Sequence, residues 1–320
     1  MVNYIGVVAK VISESLLSLY PSLVKNLNLS LGVQLWSRFF IYICLALFFV
    51  NWDFISKTLF SKNGILLSFI TIAHVFTSYR GFQLLESGIS YVLFYTYPLM
   101  ILLLAGEPIE WIMGFAIIGV YLLVTDNSNN HNNQVKDETK SSQKDQDQDQ
   151  TKTTPIPYFW NEGLIMILLA AFTEALIYFV VKNIKTENNW NHLFISYYLG
   201  AIILTLYYTY TSFYSPPKDG QEPFTLENTT WNFQLVISLL LNIIIGLFGY
   251  LLRFFSINKL NAKTYAFLSY IGIIMAFVYG VIFNNDIITI NKIIGSVFVL
   301  IPVIYAKEHL IKVIDPFMGS

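Results

Sequence analysis

The chain has 320 residues, 55% of them apolar and 12% charged, with a formal net charge of −1 and a mean hydropathy of +0.56. Soluble domains carry about 25% charged residues, so this balance excludes a soluble fold, and the missing basic excess excludes nucleic acid as a partner. The lone Cys44 rules out an internal disulfide and a cysteine metal cluster, and it reads as a small buried hydrophobe.

Ten apolar runs are long enough to cross about 30 Å of hydrocarbon at roughly 20 residues each. In chain order they are Ile5–Lys25, Leu31–Val50, Gly64–Leu84, Gly88–Ala105 and Ile109–Thr125, then Asn161–Val181, His192–Phe213, Phe233–Ser256, Thr264–Phe283 and Thr289–Ala306. Lipid offers backbone groups no partners, so the runs should be helices. Stretches such as Leu66–Phe76 lack the two-residue alternation of a membrane barrel. Trp52, Trp111, Trp160, Trp190 and Trp231 stand at or beside run ends, where an interfacial belt places tryptophan.

The first run carries Lys10 and Glu14 and no cleavage pattern follows, so it reads as a permanent span and not a signal peptide. Glu14 lies about nine residues in, hence about 13 Å deep at about 1.5 Å per residue. An acid at such depth costs about 2.5–3.5 kcal/mol. It could bind a substrate amine or carry a coupling proton; alternatively it is tied to Lys10 or Arg38. His74 lies mid-way along the third run, either as a titrating group in a cavity or as an interhelical hydrogen-bonding histidine. Arg80 ends that run, as a headgroup anchor or as a gate paired with an acid.

In the fourth run Tyr91, Tyr95 and Pro98 fall on one helical face. Pro98 leaves a carbonyl unbonded one turn earlier and should kink the span. With Phe94 and Tyr97, that aromatic face could stack on and hydrogen-bond a small organic solute, or it could simply pack the core.

Residues Asp126 to Tyr158 are hydrophilic and of low complexity, which predicts a disordered polar linker between a first unit at 1–125 and a second at 159–320. Beyond it, Glu174 repeats the interior acid, Asn242 is a weaker polar candidate, and Arg253 ends its run as Arg80 does. Gly272, Ala276 and Gly280 recur at four-residue steps, which permits close helix contact. His131, His192 and His309 show no metal-ligand spacing, and no nucleophile or metal set converges. An enzyme, a metal site and a cofactor are therefore not expected.

Short-loop lysines decide orientation. With the N-terminus inside, Lys57, Lys62, Lys182, Lys185, Lys259, Lys263, Lys307 and Lys312 face the cytoplasm, against Lys25, Lys218 and Lys292 outside. Both termini are then cytoplasmic. The sequons at Asn28 and Asn228 fall in outer loops close to the membrane.

The chain also repeats itself. At an offset of 173 positions Arg80 meets Arg253, Phe82 meets Phe255, Phe94 meets Phe267 and Tyr97 meets Tyr270; Glu14 meets Glu174 at 160, and Gly114 meets Gly295 at 181. Five spans per copy is odd, so the copies should enter the membrane from opposite sides. The fold class expected is all-α integral membrane, with ten transmembrane helices as two inverted five-helix repeats.

Arg80-Gly81-Phe82-Gln83-Leu84-Leu85, Leu93-Phe94-Tyr95-Thr96-Tyr97-Pro98, Gly106-Glu107 and Trp36-Ser37-Arg38-Phe39-Phe40 resemble motifs of the drug/metabolite transporter superfamily, EamA-type ten-span proteins in particular. Arg253-Phe254-Phe255 and Leu268-Ser269-Tyr270 carry the likeness in the second half. The resemblance departs where Ile271-Gly272 replaces an expected proline and where Asn284-Asn285-Asp286 replaces glycine-glutamate. The departures bear on the second half's kink.

The resemblance implies a secondary carrier for a small organic metabolite working by alternating access. Its cavity would be lined by the first, third, fourth, sixth, eighth and ninth spans. The scarcity of deep Lys and Arg argues against a heavily phosphorylated solute. Interior glutamates lean towards amino-acid-like, amine or other neutral and cationic solutes, with Glu14, Glu174 and His74 motivating proton coupling. A nucleotide-sugar or sugar-phosphate exchanger is the alternative, and a channel or non-transporting receptor comes after it. Small solutes, protons and the bilayer are the expected partners; the oligomeric state is not legible.

Overall fold

The computed structural model describes residues 4–122 and 162–301, apart from positions 28, 86, 108–110, 113, 116, 120, 215–230, 285–288, 292 and 299–300. The expected linker, both sequon asparagines, His131, His309, Trp160, Lys218, Lys292, Lys307 and Lys312 lie outside the described residues.

The described residues form helices and contain no strand. In chain order the helices are α1 (Tyr4–Leu17), α2 (Tyr20–Asn26), α3 (Leu31–Ala46), α4 (Trp52–Thr58), α5 (Lys62–Leu84), α6 (Ser87–Phe94), α7 (Tyr97–Leu104), α8 (Glu162–Asn183), α9 (Asn189–Tyr214), α10 (Phe233–Lys259), α11 (Ala262–Ser269) and α12 (Ile271–Asn284). Among the described residues, six segments are long and apolar enough to cross a membrane: Tyr4–Val24, Lys62–Leu84, Glu162–Asn183, Asn189–Tyr210, Phe233–Lys259 and Ala262–Phe283. Leu31–Ala46 and Ser90–Leu104 are shorter apolar helices. These eight fall on the expected runs one to four and six to nine. The fifth and tenth runs lie partly outside the described residues.

Short polar residues start the helices by taking up orphan backbone N–H groups. Asn51 accepts from Phe54 N at 3.1 Å, Ser61 from Gly64 N at 3.1 Å, Asn232 from Leu235 N at 2.8 Å and Asn261 from Thr264 N at 2.8 Å. At the other end of α10, Lys182 donates to the carbonyls of Ile257 and Leu260 at 2.8 and 2.7 Å.

Three expected spans are broken in mid-run. The first breaks at Ser18–Leu19, where Pro21 begins α2 without an N–H and so cannot serve the Leu17 carbonyl. The Tyr91 hydroxyl donates to that carbonyl instead. The fourth breaks at Tyr95–Thr96, with Pro98 in the first turn of α7, as the proline requires. The ninth breaks at Tyr270 with no proline: Tyr270 N bonds Phe267 O at 3.2 Å and Ile273 N bonds Tyr270 O at 3.1 Å, a tight three-residue step. The ninth run is therefore interrupted there even without the proline. Ser18 Oγ donates to the Gly272 carbonyl beside it at 3.0 Å.

Packing pairs the two halves of the chain. α5 lies along α8, α1 along α10, and α3 against α9; α8 also touches α6 and α7, and α1 touches α11 and α12. Large apolar side chains such as Phe48, Phe69, Phe172, Leu206, Phe233 and Phe248 point outward, as lipid-facing surfaces do. The second run ends its helix at Ala46 and is followed by the short surface helix α4, which the apolar pattern does not announce. Cys44 is half-buried and not fully enclosed.

Candidate functional site

At the centre of the bundle, buried ionisable groups from both halves meet. Lys10 and Glu14 stand one turn apart on α1 and pair directly. Glu14 also accepts from Arg253 Nη2 at 3.1 Å, from the Tyr97 hydroxyl at 3.1 Å and from the Tyr95 hydroxyl. Arg253 reaches Glu174 of α8 with its other terminal nitrogen at 2.5 Å. Lys10 lies over the ring of Tyr265, 3.4 Å from its centroid, so cation–π attraction adds to its ion pair. Each of these charges is at most 1% exposed. An ion pair so deep persists only when the remaining lone pairs and protons find partners, and the tyrosine hydroxyls supply them.

His74 closes the row. Its Nδ1 is 3.1 Å from the Ala170 carbonyl, which can only accept, so Nδ1 carries hydrogen. A neutral ring then leaves Nε2 a bare acceptor, 3.2 Å from Glu174 Oε2. Two bare acceptors at that distance repel; one proton on either atom turns the contact into a hydrogen bond. The Tyr250 hydroxyl sits 3.0 Å from the same nitrogen.

Beside this row lies Arg38 on α3, 2% exposed. Its Nη1 donates to the Tyr79 hydroxyl at 3.1 Å and its Nη2 to the Tyr197 hydroxyl at 2.8 Å. The rings of Tyr20, Tyr42, Tyr79, Tyr197 and Tyr250 surround it, with centroids 4.9–5.6 Å from Cζ. Arg38, Arg253 and His74 share a small cavity of about 20 Å³. That volume admits about one water molecule and no metabolite.

The sequence expectations can now be placed. Glu14, His74, Tyr91, Tyr95, Tyr97 and Glu174 come together, with Tyr91 serving backbone as well as lining the cavity. Asn242 joins through the Tyr79 hydroxyl at 3.3 Å. Tyr270 is buried, but its hydroxyl makes no hydrogen bond among the described residues. Pro98 shapes the α6–α7 break, and Gly272, Ala276 and Gly280 are all buried along α12.

Of the two partners offered for Glu14, Lys10 pairs with it and Arg38 does not. Of the two readings of Arg253, it pairs with acids and does not anchor at headgroups: α10 runs on to Lys259, and two carboxylates compensate its charge. One expectation is corrected: deep cations are not scarce, because Lys10, Arg38 and Arg253 are all buried. Arg80 alone keeps a surface position, bonded to Glu162 at 2.8 Å. Arg80→Ala is accordingly expected to move the thermal midpoint by no more than about 2 °C, since exposed pairs contribute little.

The tyrosines around Arg38 and Tyr265 beneath Lys10 are the residues that the sequence pattern does not reveal, and only Tyr250, three before Arg253 on one helix face, carried a local signal. Glycine makes the closest approach possible. A Cβ on Gly272 would strike the Tyr95 hydroxyl, and one on Gly246 would strike those of Tyr20 and Tyr42. Gly272→Ala should therefore cost about 1–3 kcal/mol through overpacking, read as a lowered midpoint in differential scanning fluorimetry.

Among the described residues no group of three His, Cys, Asp or Glu side chains could hold a metal ion. Residues 161–306 match the EamA-like transporter family model. The match supports the drug/metabolite transporter superfamily, hence a membrane transporter of small solutes. No curated protein matches the chain.

Proposed function

We propose that the chain is a secondary carrier moving a small organic metabolite by alternating access between two inverted five-helix halves, with a proton as co-substrate. One observation carries this reading: a polar row, Lys10–Glu14–Arg253–Glu174–His74, assembled from both halves inside an otherwise apolar bundle. Ionisable side chains within a membrane are costly and mark solute and proton paths.

The helix contacts support the inverted repeat. Exchanging the halves turns the α1–α10 contact into the α8–α5 contact, and turns α1 against α11 and α12 into α8 against α6 and α7. The pair α3–α9 maps onto itself, and the pairs α6–α12 and α7–α11 map onto each other. The breaks at Tyr95–Thr96 and Tyr270 fall at related positions. Discontinuous helices beside a central site are a recurrent carrier feature.

The proton belongs to the His74–Glu174 contact, whose donor and acceptor requirement is met by one exchangeable hydrogen. Orientation follows the lysines: Lys182, Lys185 and Lys259 line one shallow pocket at an end of the bundle. That end faces the cytoplasm under the lysine rule.

Reconstituted protein should show saturable uptake that accelerates when unlabelled solute is present on the far side, and that follows an imposed pH gradient. Flux without trans-acceleration would indicate a channel. The three deep cations give the exchanger reading a specific footing, and counterflow of labelled nucleotide-sugars or sugar phosphates is the assay that would establish it in place of a proton-coupled carrier.

A further inference from the structure

Arg38 is the one buried cation among the described residues with no carboxylate partner. Lys10 has Glu14, and Arg253 has both glutamates. Arg38 has only neutral neighbours: two tyrosine hydroxyls on its terminal nitrogens and five ring faces around it. Its Nε has no hydrogen-bond partner. Ring quadrupoles attract a cation but carry no countercharge. A guanidinium held this way keeps a full positive charge in a low-dielectric interior, which is expensive to maintain. It faces the cavity that His74 and Arg253 also line.

We infer that the Arg38 tyrosine cage is the anion-recognising subsite of the carrier, and that the solute bears one carboxylate, as an amino acid or another small carboxylic acid does. The planar fork of a guanidinium matches a carboxylate in two-point geometry. The charge selects the class. One uncompensated cation matches one negative charge, whereas a phosphate monoester brings about −1.5 to −2. Arg253 offers no second uncompensated cation, because Glu14 and Glu174 already match its charge. The cage draws Tyr79 from α5, Tyr197 from α9, Tyr250 from α10 and Tyr20 from α2. An anion on Arg38, once the cavity widens to admit it, would therefore bind helices of both halves at once.

This inference rests on the carrier reading, and the test keeps the two apart. Purified full-length protein is heated with sodium benzoate, benzylamine hydrochloride or phenyl phosphate at matched ionic strength. Benzoate should raise the unfolding midpoint by about 2–4 °C near saturation, and benzylamine should leave it unmoved. Phenyl phosphate should stabilise less than benzoate.

Arg38→Gln should abolish the benzoate shift. Arg38→Lys keeps the charge in the cage, which guards against a misfolded glutamine variant, and should weaken benzoate binding by about tenfold through loss of the fork. Equal shifts from benzoate and benzylamine, or a benzoate shift of full size in both variants, would overturn the assignment. So would stronger stabilisation by phenyl phosphate. Flux of amines and esters by a protein that ignores benzoate would sink the subsite and leave the carrier standing. Benzoate binding without flux of any solute would do the reverse.

Discussion

Arg253→Met is expected to destabilise the folded chain by about 3–5 kcal/mol, the cost of leaving buried charge without its partner. The guanidinium joins Glu14 and Glu174, which come from different halves and are each at most 1% exposed. Without it, Glu174 keeps only the His74 contact, and Glu14 keeps Lys10 and two tyrosine hydroxyls. Two carboxylates would then face one another across an apolar gap. The variant should give little monodisperse protein and a sharply lower midpoint in detergent. Adding Glu174→Gln to Arg253→Met should restore most of the stability, because it removes one buried ion pair whole and leaves the Lys10–Glu14 pair intact. A single variant as stable as the parent chain would show that Arg253 is solvated, contrary to its enclosure.

Glu174→Gln should uncouple transport from protons while preserving solute exchange. The amide keeps both geometric duties: its oxygen can still accept from Arg253, and its nitrogen can donate to His74 Nε2, where a proton is otherwise required. Hydrogen bonding is conserved and the exchangeable proton is not. One pH unit is worth about 1.4 kcal/mol, so a carrier moving one proton per solute should accumulate about tenfold against it. The amide variant should show none of that accumulation, with counterflow retained. Uptake by Glu174→Gln that still tracked an imposed gradient would place the proton elsewhere, with Glu14 next in line.

Helix content and the positions of eight apolar runs were readable because lipid imposes the same rule everywhere: long apolar stretches with their backbone bonds closed internally. The paired carboxylates were readable because an acid in such a run is anomalous wherever it stands. What surrounds them was not. Tyr20, Tyr42, Tyr79 and Tyr197 look like ordinary aromatic filler in their own runs. They become a cage only when α2, α3, α5 and α9 meet, and no periodicity along one helix encodes that meeting. Arg253 misled for a related reason. A run's apparent end was judged from the charge itself, whereas α10 continues past it because Glu174 and Glu14 compensate that charge across space. The break at Tyr270 was obscured because proline was taken as the signal for it. Here a tight turn and a glycine at 272, with the Tyr95 hydroxyl against it, replace the proline.

The exchange of partners between the halves has a mechanical result. α1 is fastened to α10 and α12 by Ser13 Oγ on the Gly249 carbonyl at 2.8 Å and Ser18 Oγ on the Gly272 carbonyl, besides the Glu14–Arg253 pair. α8 is fastened to α5 through His74. Each half has thus lent its opening helix to the other, so the pieces that would slide past one another in the proposed cycle are not the pieces that lie contiguous in the chain. Five contacts near the centre cross the seam between them: Arg253 to Glu174, Tyr95 and Tyr97 to Glu14, Tyr250 to His74, and Tyr91 to the Leu17 carbonyl, alongside others such as Lys182 to the Ile257 and Leu260 carbonyls. Four of these five run through a tyrosine hydroxyl, a latch that opens and recloses without stranding a charge.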